Sequence, residues 1–500
     1  CVIPHLWHMI QGGRYHRQGG RHFNPHLYDD IKTIADHSHY VGNIRDHAWW
    51  GHEPNAPTPT LQAGGGHAHA GAMIYLGDNW PKRFRNRIFM NNIHGNRVNS
   101  DILSRKGSGF VGKHGPDMLL ANDRWYRGIN LKYGPNGSVY VIDWYDKNAC
   151  HRRNPEIWDR TNGRIYNIAW GEPKQRKVDL SKLSDDELVQ LHLHKNEWFT
   201  RMARRILQER AAKREIPFAT RDLLWLIAKK APTVPLKLRA IWTLHTIGGL
   251  KTEQLRELLT HESEYIRACA IQLEMEDKTI SEQSLQMLAA MAQGDKSPVV
   301  RLYLSSAAGR LPIERRWPII KALAMHAEDI KDHNLPLMYW YAIEPCVTAD
   351  PERAIRLATA SKIPLLTQYI IRRAASDNKT LDSVMAHLTK LGDTKKELLV
   401  LSQLLAAFEG RVNIPMPASW TPAYAKLSKS TNTDVREKAD QVAIVLGDKR
   451  ILPRMRELLV DVKQPLKKRQ DALAIPVRCP DTAPAPHSQP PPTVPPLRPT

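Results

Sequence analysis

The glycines of this chain are not spread along it. Twenty of the 28, together with eight of the 14 tryptophans, fall in residues 1–170, and beyond them Leu, Ala, Glu, Lys and Arg take over. Glycine with aromatic and β-branched residues is strand-and-turn material, whereas the later composition favours helices. One fold class cannot hold both, so the chain reads as multidomain β + α with a boundary near Trp170. Its 500 residues also exceed what one compact core holds.

Within the first part, short β-type runs are closed by turn residues: Ala72 to Leu76 before Gly77-Asp78-Asn79, Arg87 to Asn91 before His94-Gly95-Asn96, and Ser138 to Trp144 behind Pro135-Asn136-Gly137. Gly128 to Trp144 reads as a hairpin. Ile129, Leu131 and Tyr133 alternate with other residues, Asn136-Gly137 tolerates positive φ, and Val139 and Val141 resume the alternation. A further strand is expected at Gly163 to Ile168. His114-Gly115-Pro116-Asp117 and Asn122-Asp123 read as turns first and as calcium or substrate ligands second.

Five stretches carry a resemblance: Pro4-His5-Leu6, His8-Met9-Ile10-Gln11-Gly12-Gly13-Arg14-Tyr15, Phe23-Asn24-Pro25, Asp29-Asp30-Ile31-Lys32-Thr33-Ile34-Ala35-Asp36-His37, and the whole of Gly64 to Ile168. The first third of the chain resembles the C-terminal blades of quinoprotein sugar dehydrogenase-like β-propellers, in the large form found among membrane-bound dehydrogenases of planctomycetes and verrucomicrobia. The resemblance implies a partial β-propeller followed by an α-solenoid of HEAT-like repeats. It further implies a pyrroloquinoline quinone (PQQ) cofactor with calcium, a sugar or alcohol substrate, electron transfer to a c-type cytochrome domain, and a periplasmic or cell-envelope setting. No CxxCH occurs, so haem is not expected within this chain. The opening Cys1, with no basic or apolar leader after it, reads as a fragment whose earlier blades, including the catalytic base, precede it.

Aligned on the Gly-Pro-Asn-Gly turn, Arg127 falls at the first arginine of the pair that holds the quinone's carboxylates in the resembling enzymes. The second arginine's place falls on Ile129 and a lysine's place near His94, with Arg97 or Lys113 as substitutes. Arg127, His94 and Arg97 are therefore the expected cofactor contacts. His67 and His69 alternate as on a strand, with Asp78 as a possible neighbour; hydrogen bonding within a loop is weighed above metal ligation for them. Asp143 and Asp146 flank Trp144-Tyr145, and aromatic rings beside carboxylates suit a sugar, by stacking and by accepting hydroxyl hydrogens. The expected substrate contacts are thus His67, His69, Asp78, Asp143, Trp144 and Asp146.

Residues 171–217 read as a linker and a capped helix. Ser184-Asp185-Asp186-Glu187 has capping-box form, and the apolar face from Leu188 runs through Trp198 to Leu207 as one helix. His192 and His194, two apart on a helix, are expected at the surface. From 218 to 478 an Arg followed by small and aliphatic residues recurs at Arg239, Arg267, Arg301, Arg436 and Arg469. These spacings fit helix pairs, and the pattern resembles HEAT repeats, which would offer a surface to a protein partner. Residues 479–500 form a Pro-rich segment expected to be disordered.

The net charge of +21 raises nucleic acid as a partner, but the basic residues are interleaved with acids, so none is expected. Five scattered cysteines, Cys1, Cys150, Cys269, Cys346 and Cys479, make no CxxC, and mostly isolated thiols are expected, with a Cys1–Cys150 disulfide as the alternative in an exported protein. Two functions are open: a fragment of a quinoprotein dehydrogenase, or a non-catalytic glycan-binding propeller carrying a HEAT-repeat scaffold.

Overall fold

The structure is a computed structural model that describes residues 4–16, 23–36, 69–93, 95–123, 125–146, 161–173, 177–411, 413–463, 465–466 and 469. The fold is mixed β + α. Among the described residues nine strands come first: β1 (Pro4–Leu6), β2 (Ala35–Asp36), β3 (His69–Ile74), β4 (Ile88–Asn92), β5 (Arg97–Lys106), β6 (Gly109–Leu120), β7 (Gly128–Tyr133), β8 (Val139–Asp143) and β9 (Arg164–Ile168). They form antiparallel sheets in the orders β1-β2, β3-β4-β5-β6 and β7-β8-β9. Among the described residues these sheets do not close into a ring.

The expected hairpin is present, with Tyr133 opposite Val139 and Leu131 opposite Val141. The long β5-β6 hairpin was not foreseen, because Gly109, Gly112, Gly115 and Pro116 make β6 look like loop. His114-Gly115-Pro116-Asp117 lies inside β6 and is not a turn. Its proline falls where the β5-β6 register shifts, an irregularity that tolerates a residue without an N–H.

The two larger sheets share one core. Met73, Tyr75, Phe89 and Val98 from the first meet Leu131, Tyr133, Val139 and Val141 from the second, with Trp80 and Tyr126 at the edges. Tyr75 stacks on Trp80 at 4.5 Å between centroids, donates its hydroxyl to Gly137 O at 2.8 Å and accepts from the amides of Asn79 and Trp80, so this buried phenol is fully used. The sheets can approach because two contact residues lack a side chain. A Cβ on Gly71, which has φ +65°, would lie 2.5 Å from Asn130 Cα, and one on Gly128 would lie 2.3 Å from Asn91 Oδ1.

Seventeen α-helices follow among the described residues. The chain divides into compact units Cys1–Ile343 and Glu344–Thr500. The first contains α1 (Asp185–Gln190), α2 (Glu197–Ala211), α3 (Phe218–Lys230), α4 (Val234–Thr246), α5 (Thr252–Leu259), α6 (Glu264–Glu274), α7 (Glu282–Gly294), α8 (Pro298–Arg310) and α9 (Ile313–Leu323). The division falls within α10 (Leu335–Ala349), and the second unit contains α11 (Pro351–Ala360), α12 (Pro364–Ala375), α13 (Asn378–Lys390), α14 (Thr394–Phe408), α15 (Trp420–Leu427), α16 (Thr433–Val445) and α17 (Leu452–Val460). Within the units helices touch a neighbour in sequence, the next but one, or both: α4 touches α3 and α6, and α14 touches α12 and α16.

The capping box at Ser184 forms as expected, with Ser184 and Glu187 bonding reciprocally. The single helix expected beyond it is two. A 3-10 turn at Leu191–Leu193 ends the first, and Asn196 caps the second by accepting from Trp198 N. That break turns His192 inward, correcting its surface assignment. His192 is fully buried, with Nδ1 against the carbonyls of Leu188 and Val189 and Nε2 2.6 Å from the Thr243 hydroxyl.

The recurring arginines are structural. Arg267 and Arg301 each reach back with Nη1 to the carbonyl six residues earlier, His261 O and Asp295 O, at 2.8 Å. Each also grips a carboxylate 28 residues ahead with its other donors, Asp295 and Asp329 respectively. Arg436 repeats the first contact with Ser430 O. Arg239 donates to His192 O and His194 O and pairs with Glu197. Arg301 and Asp329 are both buried, so removing either would strand a charge at a cost of about 3–5 kcal/mol.

Two outcomes follow. Gly71→Ala should lower the thermal midpoint by several degrees, since an L side chain there is both strained and blocked by backbone; an unchanged midpoint would refute the close approach. His192 stays neutral in the fold, its pKa pushed down to about 4 by burial and the nearby Arg204, against an ordinary 6.5. The unfolded chain therefore takes up the proton first, and stability, complete above pH 6.5, falls towards pH 4 by on the order of 3 kcal/mol. Denaturant unfolding of wild type and His192→Gln should show that this acid-side slope shrinks in the variant.

Candidate functional site

The strand ends bearing Asn92, Arg97, Arg127 and Asp143 converge on one polar cluster. Arg127 sits just before β7 and Asp143 ends β8; in register Asp143 lies opposite Gly128. Asp143 Oδ1 accepts from Arg127 N at 2.6 Å and from Tyr145 N at 2.9 Å, holding two backbone segments together. Asp143 Oδ2 is buried with no hydrogen-bond partner, and so is Asn91 Nδ2, whose Oδ1 accepts the Tyr126 hydroxyl at 2.8 Å.

Both predicted arginines brace the turn between β4 and β5. Arg127 Nη1 donates to Ile93 O at 3.2 Å and Tyr126 O at 2.8 Å. Arg97 Nε donates to Gly95 O at 2.9 Å, and its Nη1 pairs with Asp117 at 3.0 Å. Arg127 is 5% exposed and its pKa is lowered to about 10 by burial, against the pull of Asp146, Asp143 and Asp123. Arg127 Nη1 and the Nε and Nη1 donors of Arg97 thus serve the protein's own carbonyls and a carboxylate. Lys113, the alternative cation, is exposed on β6 opposite Ile102.

His69 lies opposite Asn92 in the β3-β4 register, beside the same turn. Polar residues then continue along that sheet face: Asn92 Nδ2 donates to Asn99 Oδ1 at 2.9 Å, Asn99 Nδ2 donates to Asp117 at 2.7 Å, and His114 stands 3.5 Å from Asp117 and 4.0 Å from Asp101. Asn92, Asn99 and Asp101 escaped notice in the sequence, although a strand pair with Asn, Arg and Asp at buried alternate positions is a signal of a polar network.

Asp78 is elsewhere. It adjoins Gly137 at the turn end of the β7-β8 hairpin, with Lys195 Nζ 3.8 Å away, and so is separated from Arg127 by the length of β7, roughly 16 Å. His67 and His94 lie outside the described residues, as do Cys1, Cys150 and Cys479. Cys269 and Cys346 are buried free thiols, and burial raises the Cys269 thiol to about 11. Among the described residues no three His, Cys, Asp or Glu side chains are grouped to hold a metal ion, and no helix is long and apolar enough to cross a membrane.

After Asp143 the chain makes an aromatic ledge. Tyr145 adopts φ +53°, an uncommon backbone for a non-glycine residue, fixed by Asp143 and by Asp146 N donating to Trp125 O at 2.9 Å. Its ring carries Arg164 at 3.6 Å on one side and Trp125 at 5.6 Å, while a hydrogen bond to Asp123 raises the pKa of its hydroxyl. This fold-back leaves Trp144 38% and Tyr166 37% exposed. Tyr145 thus gathers Asp123, Trp125 and Arg164 from other segments, while Asp143 is buried one residue before the exposed Trp144.

Residues 7–171 match a family described as a domain of unknown function (DUF7133), a match that ends where the composition changes. Comparison with curated proteins returns no match.

Since Arg127 braces a turn, Arg127→Ala should destabilise the chain by about 1–3 kcal/mol through stranded carbonyls, readable as a lower denaturant midpoint. Full native stability in that variant would show instead that the guanidinium is free to serve a ligand.

Proposed function

We propose that the chain is a carbohydrate-binding protein, in which two neighbouring blades of a dehydrogenase-like β-propeller carry the sugar site and HEAT-like helix pairs form a scaffold for a protein partner. The observation that carries this reading is the ledge after β8, where the exposed indole of Trp144 precedes Tyr145, whose left-handed backbone and ring are held by Asp143, Asp123 and Arg164. Aromatic faces stack on the C–H face of a sugar ring, and carboxylates accept its hydroxyl hydrogens. A site preorganised in this way spends little ordering entropy on its ligand.

Sheets packed face to face over one core support the blade reading. Helices touching neighbours at one and two steps, with an arginine reaching back six residues in α6, α8 and α16, support the repeat reading. The dehydrogenase reading, with quinone and calcium, rests on the family resemblance, and no catalytic step is assigned. The cell envelope remains the setting that the resemblance suggests.

Tryptophan fluorescence of the full chain titrated with a panel of oligosaccharides tests the reading. At least one glycan should quench saturably, and Trp144→Ala should weaken its binding by about tenfold while leaving thermal stability unchanged. A folded chain that responds to no glycan, but binds PQQ with calcium in a manner lost in Arg127→Lys, would overturn it in favour of the dehydrogenase.

A further inference from the structure

The loop between β3 and β4 holds a basic run that neither the ledge nor the packing of the sheets uses. Lys82, Arg83, Arg85 and Arg87 gather around a 3-10 turn at Lys82–Phe84. Arg85 braces the loop itself, since its Nη1 donates to Gly77 O at 2.7 Å. The other three spend nothing on the protein. Among the described residues the side chains of Lys82, Arg83 and Arg87 make no hydrogen bond and have no carboxylate within 4 Å.

Their places are nevertheless fixed, by rings. Phe84 packs against Trp80 and Phe89, with centroids 5.9 and 6.2 Å apart, and Arg83 and Arg87 lie over its ring at 4.8 and 5.8 Å. Arg83 also lies over Trp170, at 5.3 Å. Trp170 is 54% exposed, and Asn79 pins it from both sides of its backbone: Trp170 N donates to Asn79 Oδ1 at 2.8 Å, and Asn79 Nδ2 donates to Trp170 O at 3.1 Å.

A guanidinium held over a ring is positioned without using its N–H donors. Two of them around one phenyl ring repel each other, and the acids nearby give no relief. Asp78 faces Lys195 at 3.8 Å, and Glu172, two residues past Trp170, is exposed and pairs with neither arginine. Preplaced forks of unspent donors select an anion, and a carboxylate matches their planar geometry. The exposed indole beside them selects a flat apolar face, such as the C–H face of a pyranose ring. Single-stranded nucleic acid also meets cations and aromatic rings, but it is held by a series of stacking platforms, and this loop presents one exposed indole.

We propose that this patch binds an acidic polysaccharide of the uronate type, with a sugar ring on Trp170, carboxylates at Arg83 and Arg87, and Lys82 adding attraction. The site is distinct from the ledge. β8 and β9 run antiparallel, Trp144 follows the end of the first and Trp170 the end of the second, so the two indoles lie at opposite ends of the sheet. Binding here neither requires nor excludes a sugar at Trp144.

Calorimetric titration of the full chain with an oligogalacturonate should show saturable binding that weakens as salt is added. The methyl ester of the same oligosaccharide, with its rings unchanged and its charge removed, should bind less tightly by about tenfold or more. Arg83→Gln and Trp170→Ala should each weaken binding of the acid by about tenfold, whereas Lys362→Gln, which removes an exposed positive charge from the second unit, should leave it unchanged. The ester comparison uses the wild-type chain and so holds whatever the substitutions do to folding. Ester binding as tightly as the acid, Lys362→Gln weakening binding as much as Arg83→Gln, or no binding at millimolar oligogalacturonate would each overturn the proposal. Tighter binding of an oligothymidylate of equal charge would also overturn it, and would assign the patch to nucleic acid.

Discussion

The β part depends on the contact in which Gly71 lies against the backbone of Ile129 and Asn130 while Gly128 lies against Asn91. Without side chains at those points the two sheets can sandwich one core, and Tyr75, Trp80, Tyr126 and Tyr133 can meet across it. The same approach brings Arg127 and Asp143, on the second sheet, up to the turn between β4 and β5 on the first. Fold and candidate site are in this sense one arrangement: the backbone proximity that forms the core also sets the two polar strand ends side by side.

The helical part solves a different problem, how to join successive helix pairs whose connecting loops expose carbonyls. One guanidinium does this by joining a carbonyl behind it to a carboxylate ahead. Asp295 takes part twice, its side chain gripped by Arg267 and its carbonyl by Arg301. Arg301 in turn grips Asp329, which also accepts the Tyr339 hydroxyl at 2.6 Å. Because each carboxylate is matched by a planar fork of donors, the buried charge adds direction to the stacking as well as neutrality.

Much of this was legible in the residues, and the failures have physical reasons. Strands β3, β4, β7, β8 and β9 announced themselves by alternation and turns, and the capping box at Ser184 by its spacing. The β5-β6 hairpin hid behind Gly112 and Gly115, which are small because Ala35 and Ser100 press against them and not because the chain turns there. The arginine spacing marked the recurring loop contacts, but their acids did not show, because Asp295 just follows a helix and Asp329 ends a 3-10 turn, positions that carry no periodicity. At the site, residue type put Arg127 among the cofactor contacts and Asp143 and Trp144 among the substrate contacts and did not join them, although Asp143 Oδ1 accepts from Arg127 N. It could not tell which way a guanidinium points, and here it points at carbonyls. The break that buries His192 was equally silent, since Asn196 capping a new helix looks like any polar residue on an old one.

The tip of the β5-β6 hairpin has a temporal consequence. Ser108 donates both its amide and its hydroxyl to Asp332, at 2.8 and 2.7 Å, across 224 residues of sequence. Neighbouring helices can associate through local contacts as they emerge, whereas this clasp must wait for the loop before α10 to exist and to be in place. During synthesis the hairpin is therefore left without its anchor while everything from Gly109 to Asp332 is made, its strands paired but its tip undocked. That interval is when this part of the chain is most open to a chaperone, a protease or a second unfinished copy.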